Sequence, residues 1–164
     1  MITLAGAMST AEVGKSLAPA IRSQKVHAIC CTGANLEEEL FGLFSRSEYE
    51  HVPNWRHQSK EEDAELHQRG MNRVTDVAIP ESTFTKVGES LMSLWEESEA
   101  VGDSRFPHEY VYDLLLHGDL EVSSAPEDSW LVAAADANLP IFTPGWEDSC
   151  LLYTSPSPRD NTTS

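Results

Sequence analysis

The distribution of apolar residues divides the first part of the chain into two similar units. Residues 2–6 form a short apolar run, and a second run occupies residues 26–31. Each run leads through small residues into apolar positions at helical spacing, which are Val13, Leu17, Ala20 and Ile21 in the first unit and Leu36, Leu40, Leu43 and Phe44 in the second. Strand, turn and helix repeated in this order predict a βαβ crossover and a parallel sheet.

Polar residues at the two turns indicate where the helices begin. Ser9 or Thr10 is expected to cap the first helix. In the second unit Asn35 is the expected N-cap, and Glu38, three residues later, is expected to reach back to it in a capping box. Glu37 and Glu39 then also lie in the first turn, beside the positive end of the helix dipole.

The rest of the pattern alternates between helices and extended segments. The predicted elements are helices over 60–69, 83–99, 106–118 and 130–137 and extended segments over 70–80 and 140–144. Ser129 is the expected cap of the last helix. Arg73 and Asp76, in the first extended segment, are better explained by an internal ion pair or a turn contact than by a site.

The predicted strand ends define a candidate site. In open parallel α/β sheets ligands bind at the carboxyl edge, because turn amides and helix N-termini converge there. We therefore expect one cleft at this edge, lined by Ser9, Thr32, Gly33, Ala34, Glu38 and Asp148. On spacing alone a well-capped helix without a ligand is the simpler interpretation, and residues 6–9 do not fit the spaced-glycine dinucleotide fingerprint.

Composition narrows the classes of partner. Lys and Arg total 11 against 27 Asp and Glu, which gives a net charge of −16 and an isoelectric point near 4.6. A field of this sign repels phosphate backbones and attracts cations, so a nucleic-acid partner is not expected. The 40% hydrophobic content is sufficient for one sizeable core.

The cysteines and the longest apolar runs indicate the cellular compartment of the protein. Two of the three cysteines, Cys30 and Cys31, are adjacent in a predicted strand, where neighbouring side chains point to opposite faces and do not form a metal-ligand spacing. No apolar segment approaches the roughly 20 residues that span a bilayer, and residues 1–7 lack the features of a signal peptide. We expect a reduced cytoplasmic protein with no membrane partner.

The last residues have a different character. Residues 150–160, CLLYTSPSPRD, show neither helical nor strand periodicity and are identical to an in-frame translation of a transposase sequencing adapter. We therefore expect residues 1–149 to form the domain and residues 150–164 to be a non-native, disordered tail.

Five blocks of the sequence, in this order, resemble the deoxyhypusine synthase family. They are LAGAMSTAE at 4–12, CTGANLEE at 31–38, MNRVTD at 71–76, FPHE at 106–109 and PIFTPGWEDS at 140–149. The resemblance covers essentially all of residues 1–149 and favours the bacterial, homospermidine synthase-like branch. It implies an incomplete Rossmann-like parallel sheet flanked by helices, bound NAD and a homotetrameric parent.

The resemblance also implies a chemistry and a set of site residues. Family enzymes use NAD to oxidise a polyamine, such as spermidine or putrescine, and transfer its 4-aminobutyl group through a lysine imine to an acceptor amine. By position, Ser9, Thr32, Gly33 and Ala34 correspond to NAD contacts, and Asp148 corresponds to a carboxylate for NAD. Glu37 corresponds to a polyamine contact, and Glu38 to a contact with both cofactor and polyamine.

Two departures from the family pattern bear on activity. Eukaryotic members have a glycine pair where Ala34 and Asn35 stand, so the backbone is expected to approach the cofactor less closely. The imine-forming lysine of the family lies downstream of residue 164, and none of Lys15, Lys25, Lys60 and Lys86 matches its motif. Two interpretations therefore stay open, a truncated NAD-dependent aminobutyltransferase and an inactive acidic α/β fragment with at most cofactor or partner binding.

Overall fold

The computed structural model describes residues 1–146 and 149–151. The strands are β1 (Ile2–Leu4), β2 (Ile29–Cys31), β3 (Glu50–His51), β4 (Met71–Val74), β5 (Val77–Pro80) and β6 (Ile141–Phe142). The helices are α1 (Gly14–Arg22), α2 (Gly33–Ser45), α3 (Lys60–Gln68), α4 (Glu81–Val101), α5 (Pro107–His117) and α6 (Trp130–Asp136).

The central sheet is parallel and has the order β1-β2-β6. Ile29 in the middle strand lies opposite Ile2 on one side and Ile141 on the other. Ile29 and Ile141 are almost fully buried, because the sheet has helices packed around it. The prediction of an α/β fold with a parallel sheet flanked by helices is confirmed.

Helix α2 lies at the centre of the molecule. It packs against α4 and α6, while α1 packs against α6, and α5 contacts both α4 and α6. Leu36, Leu40 and Phe41 of α2 are at most 1% exposed and contribute to the main core. Because partners surround α2, its polar residues are buried as well, and this determines the geometry of the candidate site.

Residues 70–80 differ from the prediction. A single extended segment was expected, but β4 and β5 form an antiparallel hairpin, and β3 pairs with β5 to complete a second small sheet. The chain reverses at Thr75, whose φ of 54° lies in the left-handed region that tight hairpin turns require. Arg73 donates to both carboxylate oxygens of Asp63 in α3, at 2.6 and 2.9 Å, which confirms the ion-pair interpretation.

Both predicted helix starts near the sheet are wrong. Thr32, not Asn35, is the N-cap of α2, and its hydroxyl accepts the Asn35 N–H at 3.3 Å. Glu38 does not form a capping box, because its carboxylate points away to Thr10. Ser9 and Thr10 belong to a separate 3-10 turn, and α1 begins only at Gly14.

The other helix boundaries agree with the sequence signals. The Ser129 hydroxyl accepts the N–H groups of Leu131 and Val132 and so caps α6 as predicted. Gly118 is the C-cap of α5. In both cases the capping residue lies next to its own helix, and local sequence is sufficient to predict it.

Candidate functional site

The turns after β1 and β2 are joined at the carboxyl edge of the central sheet. The Thr32 hydroxyl donates to the Gly6 carbonyl oxygen at 2.6 Å, and the Thr32 N–H donates to the Leu4 carbonyl oxygen at 3.2 Å. Gly6 has a φ of +65°, and among the described residues, its two chain neighbours aside, no atom lies within 4 Å of the position that a Cβ on it would take. The first turn is therefore exposed on its outer side and held on its inner side.

Asn35 connects the same two turns from within the protein. Its Nδ2 donates to the Gly6 carbonyl oxygen and to the Thr32 hydroxyl, each at 2.8 Å, and lies 3.4 Å from the Leu4 carbonyl oxygen. Its Oδ1 accepts the Met8 N–H at 2.9 Å. The sequence predicted Asn35 only as a helix cap, because its contacts with the first turn and β1 are 27 to 31 residues away along the chain.

Ser9 lies directly behind this junction. It is fully buried, its hydroxyl donates to the Asn35 carbonyl oxygen at 2.7 Å, and the same hydroxyl accepts the Trp130 Nε1–H at 3.1 Å. Ser9 therefore supports the edge from below in the described structure. Trp130, fully buried in α6, was not among the predicted site residues.

The start of α2 is closely covered. A Cβ on Gly33 would lie 2.7 Å from Cβ of Ser149 and 3.4 Å from the Trp146 ring, so only glycine fits without a shift. Ala34 is half-buried. Asp148, which was predicted to complete this cleft, lies outside the described residues.

Three consecutive glutamates of α2 are buried, and each binds a different segment. The Glu37 carboxylate accepts the N–H groups of Cys150 and Leu151 at 3.1 and 3.0 Å. Glu38 Oε2 accepts the Thr10 hydroxyl at 2.6 Å. The exposed fractions of the two glutamates are 2% and 6%. Both predicted polyamine contacts thus already have hydrogen-bond donors within the chain.

Glu39 completes this set, although it was not among the predicted site residues. Its Oε1 accepts the Ser129 hydroxyl at 2.7 Å and the Trp130 N–H at 3.1 Å, so it satisfies the N-terminus of α6. Burial raises the pKa of the Glu39 carboxyl, and the hydrogen bond from Ser129 partly opposes this. Burial likewise raises the pKa of Glu38 against the hydrogen bonds from Thr10.

Two cavities lie apart from the predicted cleft residues. One, of about 140 Å³, is beside the N-termini of α1 and α6 and is lined by Gly14, Glu39 and Arg46 among others. The other, of about 470 Å³, lies between the end of α2 and the start of α4 and is lined by Phe44, Thr83 and Lys86 among others. In the part of the chain that the structure describes, no group of His, Cys, Asp and Glu side chains is arranged to hold a metal ion.

The helices within residues 1–146 and 149–151 include no candidate for a membrane-spanning helix. None of the helices there combines the length and the apolar character needed to cross a bilayer.

Comparison with known proteins relates most of the chain to one protein family. Residues 1–154 match the family model described as deoxyhypusine synthase. The probable deoxyhypusine synthase 2 of Methanosarcina mazei is 29% identical over 153 residues, which are 92% of this chain and 41% of that protein. The corresponding protein of Methanosarcina acetivorans is 30% identical over 151 residues, 90% of this chain and 40% of that protein. That of Archaeoglobus fulgidus is 28% identical over 92% of this chain and 46% of its own length.

A parallel sheet with turns and a helix N-terminus gathered at its carboxyl edge defines an open α/β protein, a class in which ligands bind at this edge. The match over residues 1–154 makes the class specific, and the chain belongs to the deoxyhypusine synthase family. It spans about two-fifths of the length of the Methanosarcina relatives.

Proposed function

We propose that this chain supplies the NAD-binding edge of a cytoplasmic, homotetrameric aminobutyltransferase. In this proposal the enzyme moves a 4-aminobutyl group from spermidine or putrescine to an acceptor amine, and the homospermidine synthase-like branch uses a small diamine as acceptor. Membership of the deoxyhypusine synthase family supports the reaction class. The domain is proposed to be residues 1–149, with residues 150–164 as an adapter-derived tail.

One observation in the structure carries the cofactor assignment. The turn around Gly6 is open on its outer side, and the Thr32–Gly6 and Asn35–Gly6 hydrogen bonds hold it beside the start of α2. A backbone turn with an open side next to a helix N-terminus fits the diphosphate of a dinucleotide, because amides and the helix dipole both favour anions. NAD, when bound, would supply the hydride acceptor for oxidation of the polyamine.

The proposed contacts follow from this edge. Thr32, Gly33, Ala34 and Ser9 are assigned to NAD, Ser9 through its support of the turn, and Asp148 is assigned to the cofactor from the family resemblance. Glu38 is assigned to both cofactor and polyamine, and Glu37 to the polyamine. Carboxylates at these positions suit an oligocation, since charge-assisted hydrogen bonds to ammonium groups are stronger than neutral ones.

The cofactor assignment is tested by titrating the 164-residue chain with NAD in a calorimeter. Thr32→Val is the informative variant, because it keeps the shape of the side chain but removes the hydroxyl that donates to Gly6. We expect weaker NAD binding in this variant. Ser45→Ala, which loses a buried hydroxyl at the opposite end of α2, should leave the affinity unchanged. Equal NAD affinity in all three proteins would contradict the assignment.

The glutamate assignment is tested in a version of the gene that is extended to the full length of its relatives. Glu37→Gln and Glu38→Gln keep the size of each side chain and remove its charge. We expect each change to raise the Michaelis constant for the polyamine. If neither variant alters this constant, the polyamine assignment of the two carboxylates fails, and the bond of Glu38 to the Thr10 hydroxyl is its internal role.

A second candidate function has a specific observation in its favour. Ser9, Glu37 and Glu38 are at most 6% exposed, and all have hydrogen-bond partners within the chain. These contacts favour an inactive acidic α/β fragment with at most cofactor or partner binding. Incubating the chain with NAD, spermidine and putrescine, beside the extended version, tests this second candidate, which turnover by the chain comparable to that of the extended version would contradict. We expect no NADH absorbance and no homospermidine from the chain alone.

A further inference from the structure

We propose that Asn35 is a positioning residue, which fixes the exposed turn 5–8 in the conformation that the dinucleotide meets. The effect of this positioning on dinucleotide binding rests on the proposed NAD function. The positioning itself rests only on the contacts of Asn35 within the chain. Asn35 does not touch the ligand in this proposal and acts through the backbone of the turn.

The side-chain amide of Asn35 uses both its donor and its acceptor group on the turn and its surroundings. Nδ2 donates to the Gly6 carbonyl oxygen and the Thr32 hydroxyl at 2.8 Å, and Oδ1 accepts the Met8 N–H at 2.9 Å. The two ends of one rigid amide group therefore hold residues 6 and 8 at a fixed separation. Since Asn35 is 0% exposed, solvent water does not compete for these bonds while the side chain is in place.

The turn that Asn35 holds has little other support. All residues from 5 to 8 are exposed, and Met8 is 48% exposed, so packing does not determine their conformation. The turn also receives a hydrogen bond from the Thr32 hydroxyl to the same Gly6 carbonyl oxygen, and one from the Ala11 N–H to the Met8 carbonyl oxygen at 3.1 Å. Without Asn35 the Met8 N–H loses its acceptor, and the Ala11 bond alone among these contacts still holds Met8.

Residue 35 is also suited to this function by its place in the helix. It is the third residue of α2, one turn from the cap at Thr32, and its backbone carbonyl accepts the Ser9 hydroxyl at 2.7 Å. The backbone of Asn35 is therefore anchored from below while its side chain holds the turn above. A glycine here would leave the anchor but remove the link to residues 6 and 8.

The test compares three variants of the 164-residue chain by hydrogen exchange and by NAD titration. Asn35→Ala removes the link, and we expect the protection factor of the Met8 amide to fall by about tenfold or more. The NAD affinity should fall by about tenfold too, because the turn is no longer preorganised. Ser45→Ala is the matched control, since it loses buried hydrogen bonds in the same helix but far from the edge.

Asn35→Leu keeps the approximate size of the side chain and covers the case in which the alanine variant does not fold. Leucine has neither a donor for the Gly6 carbonyl oxygen nor an acceptor for the Met8 N–H. We therefore expect Met8 protection to fall in this variant as well.

The outcomes separate this proposal from the proposed function. Unchanged Met8 protection in Asn35→Ala, or in Asn35→Leu where the alanine variant does not fold, would overturn the positioning of the turn. Faster Met8 exchange with unaltered NAD affinity, or an equal loss of affinity in Ser45→Ala, would overturn its consequence for binding. If the wild-type chain shows no NAD binding while Met8 exchange responds as expected, the cofactor assignment of the chain fails and the positioning by Asn35 stands.

Discussion

Gly14, the first residue of α1, lies where α1, α2 and α6 meet. A Cβ at this position would come closer than 3.0 Å to the Asp128 carbonyl oxygen. It would also lie 3.1 Å from Glu39 Oε1 and 3.1 Å from the Trp130 N–H nitrogen, the two atoms that form a hydrogen bond at the N-terminus of α6. Gly14→Ala therefore tests whether this junction tolerates a single added methyl group.

The size of the expected loss of stability depends on which neighbouring atoms are able to move. The closest neighbour is backbone, so relief requires a shift of α1 against the start of α6, and overpacking of this kind costs about 1–3 kcal/mol. Replacing glycine by alanine in a helix returns about 0.5–1 kcal/mol. These two effects leave a net cost of about 0–2.5 kcal/mol, and we expect Gly14→Ala to lower the free energy of unfolding by about 1 kcal/mol, near the middle of this range.

Gly42→Ala is the matched control, because it makes the same chemical change in a helix of the same core. The atom nearest to its added Cβ is Arg46 Nη2, at 2.6 Å, which is the end of a flexible side chain. The contacts of the Arg46 guanidinium are long, at 3.8 Å to the Glu12 carboxylate, 3.5 Å to the Thr10 carbonyl oxygen and 5.8 Å to the centre of the Tyr49 ring, so little is lost when it moves. We expect Gly42→Ala to be neutral or to stabilise by up to about 1 kcal/mol.

Urea unfolding followed by tryptophan fluorescence measures both variants, with equal m-values as the condition for comparing their midpoints. We expect Gly14→Ala to be less stable than the wild type and Gly42→Ala to be at least as stable as the wild type. A Gly14→Ala protein as stable as the wild type would show that α1 is not seated against α6 as described. The reverse order of the two variants would refute the account of both sites.

Two further predictions concern the buried polar groups around α2. Folding raises the pKa of Glu38 and Glu39 above the ordinary value of 4.5, so the folded state binds more protons than the unfolded state. The contribution of the two glutamates to stability therefore falls as the pH rises from 4.5 through the raised pKa values. Urea unfolding across this window should show the decline in the wild type relative to a Glu38→Gln/Glu39→Gln protein, and parallel curves would contradict it. Trp130→Phe loses the bond from Nε1 to the Ser9 hydroxyl and some volume, so it should destabilise by about 1–3 kcal/mol. Trp55→Phe, at a half-buried position, serves as its control, and an equal effect of both changes would count against the buried bond.

The local pattern of the chain was sufficient to predict most elements. Apolar spacing located α1, α2 and α4, and the residues that cap α6 and end α5, Ser129 and Gly118, were identified from sequence. These features depend on residues within one or two helical turns of each other, and the physical preferences of single residues therefore determine them. The parallel sheet was also predicted from the sequence, because two successive strand–helix units favour a crossover connection between parallel strands.

Tertiary structure alone decided what the polar residues of α2 bind. Asn35 was expected to cap its own helix, but its amide binds a turn 27 to 31 residues earlier in the chain. Glu38 turns to Thr10, and Glu39 turns to Ser129, which is 90 residues away. A capping box is the preferred arrangement of such residues in an isolated helix, where water is the competing partner. In a helix surrounded by other segments, each buried carboxylate or amide must instead satisfy whichever N–H or O–H groups the fold brings to it, because unpaired buried donors cost more than a local cap returns.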